Sequence, residues 1–285
     1  MFAILALRKR LINDPVAAFR LAFGLYFVLL STKIIFAYDI FFGEQSIPKQ
    51  AIYLAYQDII LKQLITLPDL LFIILPYIGG LLGIYLSYAS VRRLTFTKFN
   101  TQLIPLVFFS LWLVLFLFFV RHPLVRSIHI DYLGWLAFLN IFIPSNKKTI
   151  PVDIANASWI FFAVEYFFSG IKKLTVYEWN SGKAIDLIFK TEVARFKLSD
   201  DLSNVMSLSS PALCYFVIGV ELSALFLIWN KQLRIVILLL SIMLHLGILV
   251  FLRIQDLTIG LLIFHLFLGL TLISKGGHTE SIYKQ

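Results

Sequence analysis

The chain has 285 residues, 60% hydrophobic, 16% aromatic and only 14% charged, with a formal net charge of +9. Soluble domains carry nearer a quarter charged residues, so a soluble globular protein is excluded and an integral membrane protein is expected. The single cysteine, Cys214, excludes an intrachain disulfide, a CxxC redox pair and a cysteine-ligated cluster. The positive charge sits in short loops rather than in a basic helix interleaved with aromatics. Orientation and anionic headgroups therefore explain it, and nucleic acid is not an expected partner.

A spanning helix needs about 20 mainly apolar residues. The start, "MFAILALRKRLINDP", lacks the order of charges and the small-residue cleavage site of a signal peptide, so an uncleaved anchor is expected. Eight apolar segments follow in chain order: 16–38, 69–90, 103–120, 130–144, 154–171, 211–229, 233–251 and 257–274. The fold class is thus all-α, a polytopic helical membrane protein forming one transmembrane domain over 1–285. Pro76, Gly79 and Gly80 mark a possible kink in the second segment. The short fourth segment, "IDYLGWLAFLNIFIP", reads as tilted or re-entrant.

Alternating the sides places "LRKR", "VRRLTFTK", "SNKK", "NKQLR" and the C-terminal tail together. That set is richer in Lys and Arg, so it is cytoplasmic, as are both termini. A bacterial inner membrane is the expected location. The loop 175–208 and His129 then face the outside. Within that loop Ile185, Ile188, Phe189, Val193 and Phe196 fall on one helical face. An amphipathic helix on the outer surface is expected, either roofing a site or serving as an anchored connector.

Ionisable groups inside a membrane are costly and default to functional candidates. Here they are Arg20, Lys33, Glu165, Lys172, Lys173, Glu221, His129, His245 and His265. Consecutive helical residues point about 100° apart, so Lys172 and Lys173 cannot face the same way. Either both snorkel to headgroups, or one turns inward, where a lysine desolvated beside another cation becomes a base or nucleophile near neutral pH. Glu165 and Glu221 sit mid-helix and need partners, for which Arg20 is a candidate, so these three read as structural polar residues. His245 and His265 come singly on apolar helices and read as core histidines. No ligand pair spaced like HExxH occurs, so no metal site is expected. Glycine-rich phosphate loops, a GxSxG elbow and internal repeats are also absent.

Four stretches in order resemble a known family. They are "DPVAAFRLAFG" (14–24), "HIDYLGWLAF" (129–138), "YFFSGIKKLTVYEW" (166–179), and "ELSALFLIW" followed by "LHLGILVF". Together they resemble the HTTM membrane domain, whose best-known member is vitamin K-dependent gamma-glutamyl carboxylase. The GIKKL stretch is the most specific. The resemblance implies that Lys173 is the catalytic base and His129 an active-site histidine, with Lys172, Trp179, Tyr166 and His245 in support. It implies reduced vitamin K or another quinol as cofactor and no metal. In the carboxylase the lysine deprotonates the quinol, oxygen converts it to an epoxide through a strong base, and that base leads to carboxylation of a glutamate. Two departures stand out. No large domain is expected after the last helix, and Leu246, Gly247 and Ile248 stand where polar residues are expected around His245. Small bacterial HTTM proteins include a factor that matures a secreted peptide toxin. The expected function is therefore a carboxylase-like membrane enzyme, with quinol-linked modification of a peptide or protein at the outer face. The alternatives are a non-catalytic factor for maturation or export of a peptide, or a subunit of a membrane complex. The expected partners are membrane lipids and a secreted peptide or companion protein docking over 175–208. His129 and Lys173 are expected to line one cavity.

Overall fold

The computed structural model describes residues 14–36, 71–92, 98–121, 128–144, 148–196, 199–253 and 255–273. Helices dominate them. In chain order they are α1 (Pro15–Phe36), α2 (Leu71–Arg92), α3 (Lys98–Arg121), α4 (Ile128–Phe142), α5 (Val152–Thr175), α6 (Tyr177–Asn180), α7 (Ala184–Phe189), α8 (Asp200–Leu227), α9 (Lys231–Phe251) and α10 (Gln255–Ile273). Among the described residues the only extended pairing recorded is an isolated bridge between Ala194 and Leu252. Among the described residues five helical segments are long and apolar enough to cross a membrane: Pro15–Phe36, Ile73–Val91, Val152–Thr175, Asp200–Leu227 and Lys231–Phe251. Leu29, Phe168, Phe226 and Met243 on these helices are all exposed, an arrangement compatible with an integral membrane protein. Contacts within the chain fall into two compact units, one holding α1–α4 and the other Ala155–Leu272.

In the first unit, the "DP" pair opens α1. Pro15 occupies the first helical position, where its missing N–H costs nothing. Asp14 accepts a hydrogen bond from the Ala17 amide at 2.9 Å and another from the Ser90 hydroxyl of α2. The α1–α2 contact is backbone against backbone. A Cβ at Gly24 would lie 2.5 Å from the Gly80 carbonyl oxygen, and one at Gly83 would lie 2.9 Å from the Arg20 carbonyl oxygen. Small residues permit this approach, and in lipid van der Waals contact replaces the hydrophobic drive. Gly80 thus serves close packing against α1. Phe19, Phe23 and Phe27 form the buried stripe of α1.

Arg20 is 1% exposed. Its Nη2 donates to the Ile143 carbonyl at 2.9 Å and its Nε to Asn140 Oδ1 at 3.4 Å. A cation at the end of α4 satisfies an orphan carbonyl and complements the helix dipole. Arg20 is a structural residue within its own unit. The sequence offered Arg20 as a candidate partner for Glu165 and Glu221; its partners here are the Ile143 carbonyl and Asn140.

In the second unit, the loop after α5 is held onto α8. Gly182 has φ +75°, and a Cβ there would lie 2.6 Å from Pro211 Cα, so both conformation and space call for glycine. Ser210 donates to the Gly182 carbonyl at 2.6 Å and accepts from the Asp186 amide at 3.1 Å. Tyr215 donates to the Asn180 carbonyl at 2.5 Å. The amphipathic helix expected over 185–196 is shorter than its pattern. It stops at Phe189. Residues 193–195 instead pair with the end of α9, through Arg195 N to Phe251 O and Arg253 N to Val193 O, each 2.8 Å. Arg195 also donates to the Leu249 carbonyl at 3.0 Å. The carbonyls left over at the helix end outcompete a further helical turn. Residues 200–208, expected in the loop, form the first turns of α8.

Candidate functional site

Tyr166, Ser169, Gly170 and Lys173 occupy one face of α5, at positions i, i+3, i+4 and i+7. Gly170 is what lets α8 come close. A Cβ there would lie 2.9 Å from Leu222 Cδ2 and 3.2 Å from Glu221 Cβ. The approach brings Glu221 within reach of Lys173, whose Nζ lies 2.7 Å from Oε1 and 2.8 Å from Oε2. Lys173 also donates to Ser169 Oγ at 2.8 Å, and Ser169 donates to Glu221 Oε1 at 3.3 Å. The Trp179 ring, carried on α6, lies 5.2 Å from the ammonium, which supplies a cation–π contact. The side chains of the pair are 20% and 13% exposed. Lys172, one position earlier, is exposed. The two neighbouring lysines thus have opposite environments.

Deeper in the same unit a second polar group gathers α5, α9 and α10. Tyr166 Oη contacts Ser241 Oγ, His245 Nε2 at 2.6 Å and His265 Nε2 at 3.2 Å. Ser241 Oγ contacts His265 Nε2, and His265 Nδ1 donates to the Leu261 carbonyl at 2.6 Å. The His245 and His265 rings stand 5.1 Å apart, and Phe162 packs edge-on against His265 at 5.7 Å. Tyr166, Ser241 and His265 are buried. Nδ1 of His245 is buried with no partner among the described residues. An unsatisfied buried polar atom costs about 1–3 kcal/mol.

Of the sequence candidates, the structure brings Lys173, Glu221 and Trp179 into one group and Tyr166 and His245 into another. His265 joins them, so the two histidines read singly in the sequence are members of one cluster. Glu165 precedes Tyr166 on α5 and is half-buried. Arg20 belongs to the other unit, as does His129, which lies on α4 with its side chain outside the described residues. Lys33 lies in the last turn of α1, also in that unit. Sequence reasoning missed Ser169 and Ser241. Their signal was present: Ser169 stands four residues before Lys173, and Ser241 four before His245. A serine at that spacing from an ionisable residue shares its helical face. No protein-family model, curated protein or solved structure matches the chain.

Proposed function

We propose that the protein is an HTTM-like integral membrane enzyme of eight spanning helices, in which Lys173 acts as the base toward a quinol at the outer face. The observation that carries this reading is the half-buried Lys173–Glu221 pair, because an ionisable pair in a spanning bundle is expensive and is commonly kept for proton handling. The proton of Lys173 crosses the 2.7 Å hydrogen bond to Glu221. That leaves a neutral amine with a free lone pair beside a neutral carboxylic acid, so two charges leave a dry site together. The amine then accepts a phenolic proton and returns to ammonium. Ser169 keeps the amine aimed during the exchange, and Trp179 faces the cation when it forms. A reduced quinone would supply the acidic hydroxyls and the reducing equivalents. The unpartnered His245 Nδ1 among aromatic and aliphatic side chains fits such a head group. A secreted peptide or companion protein docking over 175–208 is the proposed acceptor of the modification.

Lipid extraction from the purified protein tests the reading. A copurifying quinone is expected. Lys173→Ala should lower product formation about 100- to 10,000-fold, read as a mass change in a copurifying or co-encoded peptide, and His129→Ala is tested alongside it. Full activity in Lys173→Ala would make the pair a structural clamp. A non-catalytic maturation factor would then take the enzyme's place.

A further inference from the structure

The cluster around Tyr166 has a determinate hydrogen count. His265 Nδ1 faces the Leu261 carbonyl, and a carbonyl only accepts, so Nδ1 carries the hydrogen. The neutral ring therefore presents a lone pair at Nε2. Three contacts then need a hydrogen each: Ser241 to His265, Tyr166 to Ser241, and Tyr166 to His245. Ser241 must give its single hydrogen to His265. Tyr166 must give its single hydrogen to Ser241, and the 3.2 Å approach of Tyr166 to His265 shares that same hydrogen. The remaining contact is supplied only by His245, from Nε2. Every donor in the chain thus points one way, from His245 through Tyr166 and Ser241 to His265 and Leu261. The consequence falls on the far side of His245. A neutral imidazole has one hydrogen, here on Nε2, so Nδ1 is a bare lone pair. It is the same atom that is buried without a partner.

We propose that this one-way chain makes His245 Nδ1 an acceptor-only recognition point, which selects an apolar ligand by a hydroxyl and rejects the same ligand when its oxygen can only accept. Tyr166, Ser241 and His265 are positioning residues, because they act by fixing the tautomer of His245. A carbonyl or ether oxygen placed at Nδ1 would set lone pair against lone pair. The chain cannot reverse to accommodate it, because Leu261 offers no hydrogen to send back. Resting on the quinol reading above, the same geometry separates redox states. A quinol carries a hydroxyl and a quinone does not, so the site takes up the reduced form and releases the oxidised one.

The test uses the full chain in lipid nanodiscs and three measurements. The first is nitrogen-15 NMR of histidine-labelled protein, with His245→Asn and His265→Asn to assign the signals. His245 is expected as the Nε2–H tautomer and His265 as Nδ1–H. The second is binding of 1-naphthol against 1-methoxynaphthalene, a pair that differs in donor capacity and needs no redox control. Naphthol is expected to bind roughly 10- to 100-fold tighter, the range that follows from one unsatisfied buried acceptor. Tyr166→Phe should cut the preference to within about threefold, since His245 is then free to place its hydrogen on either nitrogen. Ser241→Ala breaks the same chain with a smaller change and serves if Tyr166→Phe does not fold. The third is anaerobic binding of a short-tailed naphthoquinol against its quinone, with the quinol preferred. Hydrogen on Nδ1 of His245, or equal affinity for naphthol and its ether, overturns the proposal whatever the enzyme does. Naphthol selectivity with the expected tautomers, but no preference for quinol, sustains the recognition point and removes the quinol reading.

Discussion

Removing Glu221 and Lys173 singly and together separates their structural and chemical roles. Breaking a buried ion pair by deleting one partner costs about 3–5 kcal/mol, because the other charge is left without compensation. The Lys173 and Glu221 side chains keep 20% and 13% of their surface, so the loss in Glu221→Gln should fall near the lower end, ~3 kcal/mol. Lys173→Met should cost a similar amount. The double variant Lys173→Met with Glu221→Leu leaves no unpaired charge and similar volume, and such replacements are neutral or stabilising. It should therefore melt near the wild type, while each single variant melts about 6–10 °C lower in detergent, on the scaling of stability with chain size. Thermal unfolding followed by tryptophan fluorescence reads this cycle. Product formation should behave differently and be lost in all three variants, because the base is gone or unpaired in each. A stable but inactive double variant is the signature of a pair kept for chemistry. If Glu221→Gln melts like the wild type, Lys173 is not held by that carboxylate and the site reasoning fails. If the double variant is as active as the wild type, the pair is a structural clamp.

Three further outcomes are open to simple measurement. Gly24→Ala should lose about 2 kcal/mol, since the added carbon would meet the Gly80 carbonyl oxygen at 2.5 Å; Gly134→Ala, with nothing within 4 Å, should be neutral or gain up to ~1 kcal/mol in helix propensity, and equal melting of the two would refute the close α1–α2 contact. In a background with Cys214 replaced, a cysteine at Ser181 should react with an impermeant thiol reagent in intact cells, while cysteines at Asn146 and Asn230 should not; the reverse pattern would invert the orientation. Arg195→Met should free the Leu249 carbonyl and cost about 1 kcal/mol, seen as faster hydrogen exchange in the last turn of α9, and unchanged exchange there would count against the cap.

Hydropathy and helical spacing were enough to locate most of the helices and to separate the directions of Lys172 and Lys173 on α5. Both depend on local rules: about 20 apolar residues span a bilayer, and consecutive helical residues point about 100° apart. The same rules misjudged 185–196. A periodic apolar pattern says which side of a helix would be buried, but not that free carbonyls at the end of α9 compete for residues 193–195.

The amino-acid sequence by itself determined the apolar character of this protein's helices, its helical class and that Lys172 and Lys173 point different ways, since composition and the 100° step need no partner. Only the tertiary structure decided which carboxylate meets Lys173. Arg20 and Glu221 looked like candidates for each other on charge alone, yet Arg20 ends on the Ile143 carbonyl and Glu221 on Lys173. Likewise the distance in sequence between Tyr166, Ser241, His245 and His265 says nothing of the network they form. Charge and hydrogen-bonding capacity are properties of single residues. Pairing depends on which helices approach, and the approach of α5 to α8 rests on the missing side chain of Gly170.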